Sequence, residues 1–245
     1  MAFCICQENR THRIVTVVDA IEVGRKHIDY LDLQTYPRPD HPDAARRGTL
    51  WQVLAQIVIS QRATLRAERL AAERLFAHLP AAASIRQADA STIAMLIQPA
   101  GFHAQKARQL KRIADEVGAR FGDDLEQLRA LPLIEARAAL MSFPGVGPKT
   151  ADCFLELGLD FPVLPVETNI AKLARSLGWV EESDSLEAIQ ATLQSEIPAE
   201  LEAVRDAHTY LLALGQRFCW KSARCSQCPL CITYGASPDD VGVTL

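Results

Sequence analysis

The chain has 245 residues, of which 49% are apolar and 23% are charged; this excludes a disulfide-stapled miniprotein and gives no sign of a disordered or fibrous protein. The formal net charge of -4 would argue against a polyanion partner, but residues 181–206 alone carry eight acids and one arginine, a local charge of -7. The rest of the chain is therefore at +3, and two basic strips at 103–120 and 217–231 favour binding to a polyanion.

The start of the chain predicts neither export nor membrane insertion. The first ten residues contain no basic lead-in, no long apolar run and no small-residue cleavage site. Every apolar stretch is shorter than the roughly 20 residues of a membrane-spanning helix. We therefore expect a cytoplasmic protein with no membrane partner. Residues 1–48 are expected to form a helix followed by an irregular arm.

From residue 49 onwards, apolar residues recur at helical spacing, which predicts an all-α protein. Thr49 and Gln52 have the spacing of a capping box, and the helix that they open should end near Ser60. The next helix, Arg66–His78, should turn Leu70 and Phe76 inward. The further predicted helices are Asp89–Ile97, Ala104–Phe121, Leu125–Ala130, Ile134–Met141, Lys149–Leu157, Thr168–Leu177, Leu186–Ser195 and Ala199–Leu214.

The most informative segment is a tight turn between two predicted helices, Phe143-Pro-Gly-Val-Gly-Pro-Lys149. Two glycines flank one apolar residue, and a helix begins at once near Lys149. Such a turn exposes backbone N–H groups at a helix N-terminus, where they and the helix dipole favour a phosphate. A side chain at either glycine would block close approach. For the turn alone, an ordinary corner between two helices is the alternative.

Four of the seven cysteines lie close together near the end of the chain. Cys219, Cys225, Cys228 and Cys231 occur within thirteen residues. In a reducing compartment this spacing favours a metal centre held by thiolates over disulfides. Cys153, by contrast, is expected to be a small buried apolar residue.

Together these motifs resemble the helix-hairpin-helix DNA glycosylase superfamily, and most closely its endonuclease III branch. That branch carries Leu-Pro-Gly-Val-Gly-x-Lys-Thr-Ala and, further on, Val-Asp-Thr-His. This chain has Phe143-Pro-Gly-Val-Gly-Pro-Lys-Thr-Ala151 and, at the same spacing, Val166-Glu-Thr-Asn169. The resemblance extends to residues 51–64, to Ala100-Gly-Phe-His-Ala-Gln-Lys-Ala107 and to the C-terminal cysteines.

The resemblance implies an all-α, two-lobe fold with a C-terminal iron–sulfur cluster loop. One lobe would be a six-helix unit at 43–161 that contains the helix-hairpin-helix. The other would combine 1–42 with 162–235 and hold the cluster at 219–231, followed by a tail at 236–245.

The activity implied is that of a base excision repair DNA glycosylase with AP lyase activity, which removes oxidised pyrimidines from damaged duplex DNA. Lys149 resembles the family's catalytic amine, which attacks the sugar C1′ and forms a Schiff base before β-elimination. Glu167 stands where the family has aspartate, so its carboxylate would stabilise positive charge on the sugar and help to deprotonate the amine. Capping of the helix that opens at Thr168 is the alternative for Glu167, and Asn169 replaces the family's histidine.

The segment Ser60-Gln-Arg-Ala-Thr64 matches the family's loop over the flipped nucleotide, with Arg62 at the position of the intercalating residue. Phe102 stands where the family inserts a second apolar wedge. The alternatives are a helix cap for Gln61 and Arg62 and a core position for Phe102, and Asp152 is expected to cap or to pair. The predicted DNA-binding residues are Gln61, Arg62, Phe102, His103, Gly145, Val146, Gly147, Thr150, Lys221 and Arg224.

The family's cysteines hold a four-iron four-sulfur cluster, so the resemblance implies a 4Fe-4S cofactor on Cys219, Cys225, Cys228 and Cys231. Both outer spacings are shorter here than in the family, which leaves a zinc site or a labile cluster as the alternatives. The Glu167 substitution leaves two further alternatives for function. These are a cluster-containing protein that binds damaged DNA, and a monofunctional glycosylase with weak or altered activity. The protein is expected to be a monomer.

Overall fold

The computed structural model describes residues 15–28, 48–219 and 225–234, and throughout these residues the regular secondary structure is helical. The α-helices in chain order are α1 (Val17–His27), α2 (Leu50–Ser60), α3 (Leu65–His78), α4 (Ala82–Gln87), α5 (Ala90–Leu96), α6 (His103–Phe121), α7 (Leu133–Met141), α8 (Pro148–Leu157), α9 (Thr168–Ser176), α10 (Leu186–Ser195), α11 (Leu201–Leu214) and α12 (Pro229–Tyr234). Short 3-10 turns occur at Gln98–Ala100, Leu125–Ala130 and Cys225–Gln227, and a π-helical turn at Gly215–Cys219. The prediction of an all-α fold is confirmed.

Helix α2 shows how closely local sequence sets an element here. The Thr49 hydroxyl accepts a hydrogen bond from the Gln52 N–H at 3.3 Å, and the Gln52 side chain accepts from the Thr49 N–H at 3.0 Å. This reciprocal capping box satisfies two N–H groups that the helix cannot pair internally. The helix ends at Ser60, as predicted.

The first unit differs from the predicted helices in three respects. Helix α4 was not predicted, because six residues with only Ala82 and Ile85 buried are too few to show a helical period. The helix predicted at Leu125–Ala130 is present with the same bounds, but it is a 3-10 helix. Leu70 is 40% exposed, and α3 instead turns Glu68 inward together with alanines and Leu75.

The described residues divide into two compact units, and the first consists of 48–161. Helix α6 packs against α4 and α5 in this unit, and α2 packs against α3 and α8. The largest fully buried side chains fill the space between these helices; they are Leu54, Ile59, Leu75, Ile85, Ile93, Ile97, Leu110, Ile113, Leu128, Leu140, Phe143 and Phe154.

The second unit combines 15–28 with the described residues from 162 onwards. Helix α1 packs against α11 so closely that a Cβ added at Gly24 would lie 2.7 Å from the Tyr210 Cβ. The Trp179 indole N–H donates to the Val15 carbonyl at 2.7 Å, which fixes the start of this segment on the unit. Within the described residues, no helix has both the length and the apolar character needed to cross a membrane.

Candidate functional site

The Gly-x-Gly turn between α7 and α8 is a hairpin held in place by a side-chain hydrogen bond. Gly145 has φ +73°, and its carbonyl accepts a hydrogen bond from the buried Gln109 amide at 3.0 Å. A Cβ at Gly145 would lie 2.8 Å from that amide nitrogen, whereas a Cβ at Gly147 would meet nothing within 4 Å. Gly145 is thus required by the protein itself. The space in front of Gly147, at the start of α8, is open to an approaching ligand.

Lys149 is the second residue of α8 and is exposed. One turn further on, Cys153 is buried, and its thiol forms a side-chain hydrogen bond with Lys149. Burial raises the pKa of the Cys153 thiol to about 11, against the lowering effect of Lys149, so the thiol is protonated at neutral pH. The prediction that Cys153 is buried is confirmed, but its contact with the lysine was not foreseen.

A buried carboxylate lies near Lys149, on Glu68 of α3. Its Oε1 accepts a hydrogen bond from the Gln56 amide at 2.9 Å. Burial raises the pKa of Glu68, while the Gln56 hydrogen bond and the charges of nearby cations, including Lys149 and Lys106, oppose the rise. Sequence reasoning missed Glu68; the available signal was an acid at helical spacing from Ala71, Ala72 and Leu75.

Two loops of the first unit bring Arg62 and Phe102 together. Both residues have left-handed backbone conformations, with φ +55° at Arg62 and φ +47° at Phe102. The Arg62 guanidinium carbon lies 5.7 Å from the centroid of the Phe102 ring, and the Phe102 side chain is 57% exposed. The alternative of a core position for Phe102 is therefore excluded. Non-glycine residues with positive φ are uncommon and concentrate where a loop must present side chains in a set direction.

The other predicted contact residues of this unit lie around the same loops. Gln61 follows α2 as its C-cap, and its amide donates to the Thr150 hydroxyl at 3.3 Å. Thr150 and Val146 are buried, and His103 is the half-buried first residue of α6. The loop after α2 is thereby tied to the first turn of α8.

Asp152 pairs with Arg137 in a two-pronged ion pair. The Asp152 oxygens accept from Arg137 Nε at 2.6 Å and Nη2 at 3.0 Å, and the Asp152 side chain is only 3% exposed. The prediction that Asp152 caps or pairs is confirmed. The pair connects α7 to α8 on either side of the hairpin.

We expect Asp152→Ala to lower the free energy of unfolding by about 3–5 kcal/mol, because Arg137 would keep its charge in a mostly buried place without this partner. Urea unfolding followed by circular dichroism measures the change. Glu126→Ala is the matched control: it removes an acid that accepts from Arg129 at 2.6 Å but is 59% exposed, and we expect about 1 kcal/mol or less. Equal losses in the two variants would contradict the buried-pair account.

Glu167 lies in the second unit and caps helix α9. One carboxylate oxygen accepts from the backbone N–H groups of Asn169 at 2.7 Å and Ile170 at 3.1 Å. The other accepts from the Asn169 side-chain amide at 2.8 Å. Both oxygens are thus held in place by the start of α9, and the side chain remains half-exposed. Asn169, which replaces the family's histidine, orients this carboxylate.

The C-terminal cysteines belong to the second unit. Cys219 and Cys228 are buried in its apolar core, and Cys231 packs against that core. The side chain of Cys225 and all of Lys221 and Arg224 lie outside the described residues. Within the described part of the chain, no group of three or more His, Cys, Asp or Glu side chains forms a metal site. Three thiols in or against one apolar core are nevertheless the donor chemistry that an iron–sulfur cluster needs.

The basic strip at 103–120 is smaller than its sequence suggests. Lys106 is 3% exposed and Lys111 donates to the carbonyls at the end of α4, so both ammonium groups are used inside the protein. Arg120 stacks on the rings of Phe121 and Phe143. Arg108 and Arg112 are exposed and are the members of the strip that can meet a polyanion.

A family model described as "HhH-GPD superfamily base excision DNA repair protein" matches residues 55–199, which include the hairpin, Lys149 and Glu167. The chain belongs to the HhH-GPD superfamily of base excision DNA repair proteins. Within this superfamily, the chain is 27% identical over 183 residues to Endonuclease III of Thermotoga maritima, covering 73% of this chain and 79% of the relative. It is 30% identical over 165 residues to DNA glycosylase/AP lyase ROS1 of Arabidopsis thaliana, covering 60% of this chain but only 12% of that much longer protein.

Solved structures of HhH-GPD proteins have the same fold. A trapped covalent intermediate of Endonuclease III with DNA superposes with a TM-score of 0.71 at 22% identity, covering 88% of this chain and 92% of that one. A thermostable thymine-DNA glycosylase gives a TM-score of 0.67 at 17% identity, covering 89% and 93%. These likenesses confirm the two-lobe, all-α HhH fold.

The HhH-GPD hairpin, Lys149, Glu68 and the Arg62 and Phe102 loops all lie in the first unit. Glu167 and the cysteines lie in the second. Sequence reasoning named most of these residues from motifs. It missed Glu68 and Lys106, whose partners come from other helices.

Proposed function

We propose that the protein is a DNA glycosylase with AP lyase activity that removes oxidised pyrimidines from duplex DNA, acting as a monomer. The observation that carries the proposal is the exposed Lys149 at the start of α8, directly after a hairpin with open space at Gly147. An amine placed there can reach a sugar whose neighbouring phosphate is held by the N-terminal N–H groups of α8. Lysine is suited to such attack because it is a good nucleophile once deprotonated.

In the proposed reaction, the neutral Lys149 amine attacks C1′ of the damaged nucleotide, and the C1′–N bond breaks with its electrons leaving on the base. The base takes up a proton, and loss of the amine proton with opening of the sugar ring gives an imine. Removal of a C2′ proton then breaks the C3′–O bond, which releases the 3′ phosphate by β-elimination. Glu167 would stabilise positive charge at C1′ and accept the amine proton.

Recognition is proposed to rest on the hairpin and on the two wedge residues, Arg62 and Phe102. Taking a nucleotide out of the stack leaves a gap, and a cation and an aromatic ring in contact can fill it. The hairpin N–H groups and the exposed Arg108 and Arg112 would hold phosphates, so affinity should fall steeply with salt. Gln61 keeps the first wedge loop attached to α8 through Thr150.

We propose that Cys219, Cys225, Cys228 and Cys231 hold a 4Fe-4S cluster, with zinc as the alternative. The burial of Cys219 and Cys228 in one apolar core supports a site shielded from water. When bound, a cluster would link four thiolates covalently and so hold the last helix, α12, onto the unit.

The cluster assignment predicts about four iron atoms per chain in protein purified without oxygen. Cys228→Ser should remove most of that iron, because it replaces a buried ligand. Cys153→Ala is the matched control, since Cys153 is equally buried but lies in the other unit; its iron content should match the wild type. One zinc and no iron per chain would overturn the assignment in favour of a zinc site.

A second candidate is a protein that binds damaged DNA but turns it over poorly. The specific observation in its favour is that both Glu167 oxygens already accept hydrogen bonds from the start of α9. Both oxygens are therefore directed at the helix that they cap, which favours a capping role over a catalytic one. A monofunctional glycosylase that releases the base without forming an imine is a third outcome of the test.

The deciding experiment is borohydride trapping of the purified protein on three duplexes, one with an abasic site, one with thymine glycol and one undamaged. A covalent adduct on the first two but not on the third is the expected result. Base release without an adduct would indicate a monofunctional glycosylase. Tight binding without either product would favour the binding protein.

A further inference from the structure

Helix α6 carries a buried lysine whose ammonium group joins two different loops. Lys106 is 3% exposed, and its Nζ donates to the Ile59 carbonyl at 2.7 Å and to the Ala100 carbonyl at 2.9 Å. Ile59 lies three residues before Arg62, and Ala100 lies two residues before Phe102. One side chain therefore bridges the two segments that lead into the exposed arginine and phenylalanine.

Both acceptors are carbonyls at helix ends, where a cation is favoured. The neighbouring carbonyls of Val58 and Ser60 accept from the backbone N–H groups of Gln61 and Ala63, and Lys106 supplies the donor for Ile59 between them. Helix α2 ends there, so its dipole places partial negative charge at the ammonium group. The Lys106 backbone N–H also donates to the Phe102 carbonyl at 3.0 Å, which ties the same residue directly to the second loop.

A buried ammonium group is costly unless it is paired, and Glu68 supplies the opposite charge. The Glu68 carboxylate is 9% exposed, accepts from Gln56, and interacts electrostatically with Lys106. Burial lowers the pKa of Lys106, and the charge of Glu68 opposes that effect. An apolar side chain of similar length would fill this space at lower electrostatic cost but could not hold two carbonyls.

We propose that Lys106 is a positioning residue for DNA, which holds the Arg62 and Phe102 loops at the separation needed to enter the base stack as one unit. The inference rests on the proposed function, because it assigns a purpose to the two exposed side chains. Preorganisation of this kind matters because Arg62 and Phe102, the two residues that would enter the stack, both have backbones with positive φ. Without the bridge, each loop would have to be ordered on binding, and that entropy would weaken lesion recognition.

The test compares Lys106→Met and Lys106→Arg with the wild type on a duplex that has 2-aminopurine beside a stable abasic analogue. Fluorescence of 2-aminopurine rises when the base is unstacked, so it reports wedge entry and not folding. Lys111→Met is the matched control, since Lys111 lies on the same helix and also donates to helix-end carbonyls, at the end of α4. Its loss should affect stability without changing the fluorescence.

For Lys106→Met we expect the fluorescence rise at saturating protein to be lost, with about 10- to 100-fold weaker binding to the damaged duplex, of the order seen for lost interface anchors. Binding to undamaged duplex should stay within about twofold, because it depends on phosphate contacts. Trapping on a single-stranded abasic oligonucleotide should persist, since no stack has to be entered. Lys106→Arg, which keeps the charge and the donors, should restore most of the fluorescence signal.

A Lys106→Met protein with wild-type fluorescence and affinity would overturn the inference while leaving the proposed function intact. Equal loss of trapping on single-stranded and duplex DNA would also overturn it, because the lysine would then support the fold or the chemistry in general. If Lys106→Met does not fold, Lys106→Arg and Glu68→Gln decide. A fluorescence rise at the wild-type level in Glu68→Gln, together with no rise in Lys106→Arg, would contradict the bridging role of Lys106. A wild-type protein that gives no fluorescence rise on any damaged duplex would instead contradict the proposed function.

Discussion

Lys149→Ala is expected to abolish the borohydride-trapped adduct on abasic and thymine glycol duplexes. The variant removes the only atom of the side chain that can form an imine with C1′, so the loss should be complete and not a reduction in rate. DNA affinity should change by no more than about threefold, since one exposed lysine contributes one phosphate contact at most. Gel analysis of the trapped product and fluorescence anisotropy measure the two effects separately.

Two control variants test whether the loss of the adduct is specific to the Lys149 amine. Lys172→Ala removes a half-exposed lysine of α9 in the other unit and should leave the adduct unchanged. Lys149→Arg keeps the charge near the hairpin but cannot form the imine under these conditions, so it should bind DNA and fail to trap. An adduct that survives in Lys149→Ala would place the nucleophile elsewhere in the chain.

Motifs with local physical rules were predicted well from the sequence. The capping box at Thr49 and Gln52 depends on residues three apart, so it can be read from the chain and is present as expected. The hairpin glycines likewise follow a local rule. Asp152 was expected to cap or to pair, although its partner, Arg137, could not be named without the packing of α7 on α8.

The buried charges could not be predicted, for a common reason. The partners of Lys106 are the backbone carbonyls of Ile59, 47 residues away, and Ala100, six residues away, and carbonyls carry no sequence signal. Glu68 lies on the buried face of α3 together with Ala71, Ala72 and Leu75, whereas the apolar pattern placed Leu70 on that face. Helix α4 is also stabilised from a distance, by Lys111 at its C-terminal carbonyls.

The contact between Lys149 and Cys153 affects the orientation of the Lys149 amine. A protonated thiol can donate to the neutral amine or accept weakly from the ammonium, so it orients the side chain without neutralising its charge. Within its own unit, the Glu68 carboxylate interacts electrostatically with Lys149. The contribution of Glu167 to the chemistry can be measured separately.

Glu167→Asn should lower the rate of base release by about 10²-fold or more, comparable to the loss of one electrostatic stabiliser of a transition state. Asparagine is a good N-cap, so α9 should keep its start and the free energy of unfolding should change by about 1 kcal/mol or less. Glu167→Ala loses both the carboxylate and the cap, and should show the same loss of rate together with a loss of stability of about 1 kcal/mol. Single-turnover base release and urea unfolding give the two quantities.

Glu167→Asp tests whether the carboxylate of Glu167 is placed where it supports catalysis. Aspartate keeps the charge and caps a helix well, but its oxygens lie one bond length closer to the backbone, and a shift on the order of 1 Å can change a rate about a hundredfold. If the present geometry is productive, the aspartate variant will be slower than the wild type, with stability unchanged. If the aspartate variant is faster, the glutamate is misplaced by its cap at Asn169 and Ile170, and the chain is better described as a binding protein that retains a weak lyase. Equal rates in the asparagine and wild-type proteins would remove Glu167 from the reaction and leave it only as the cap of α9.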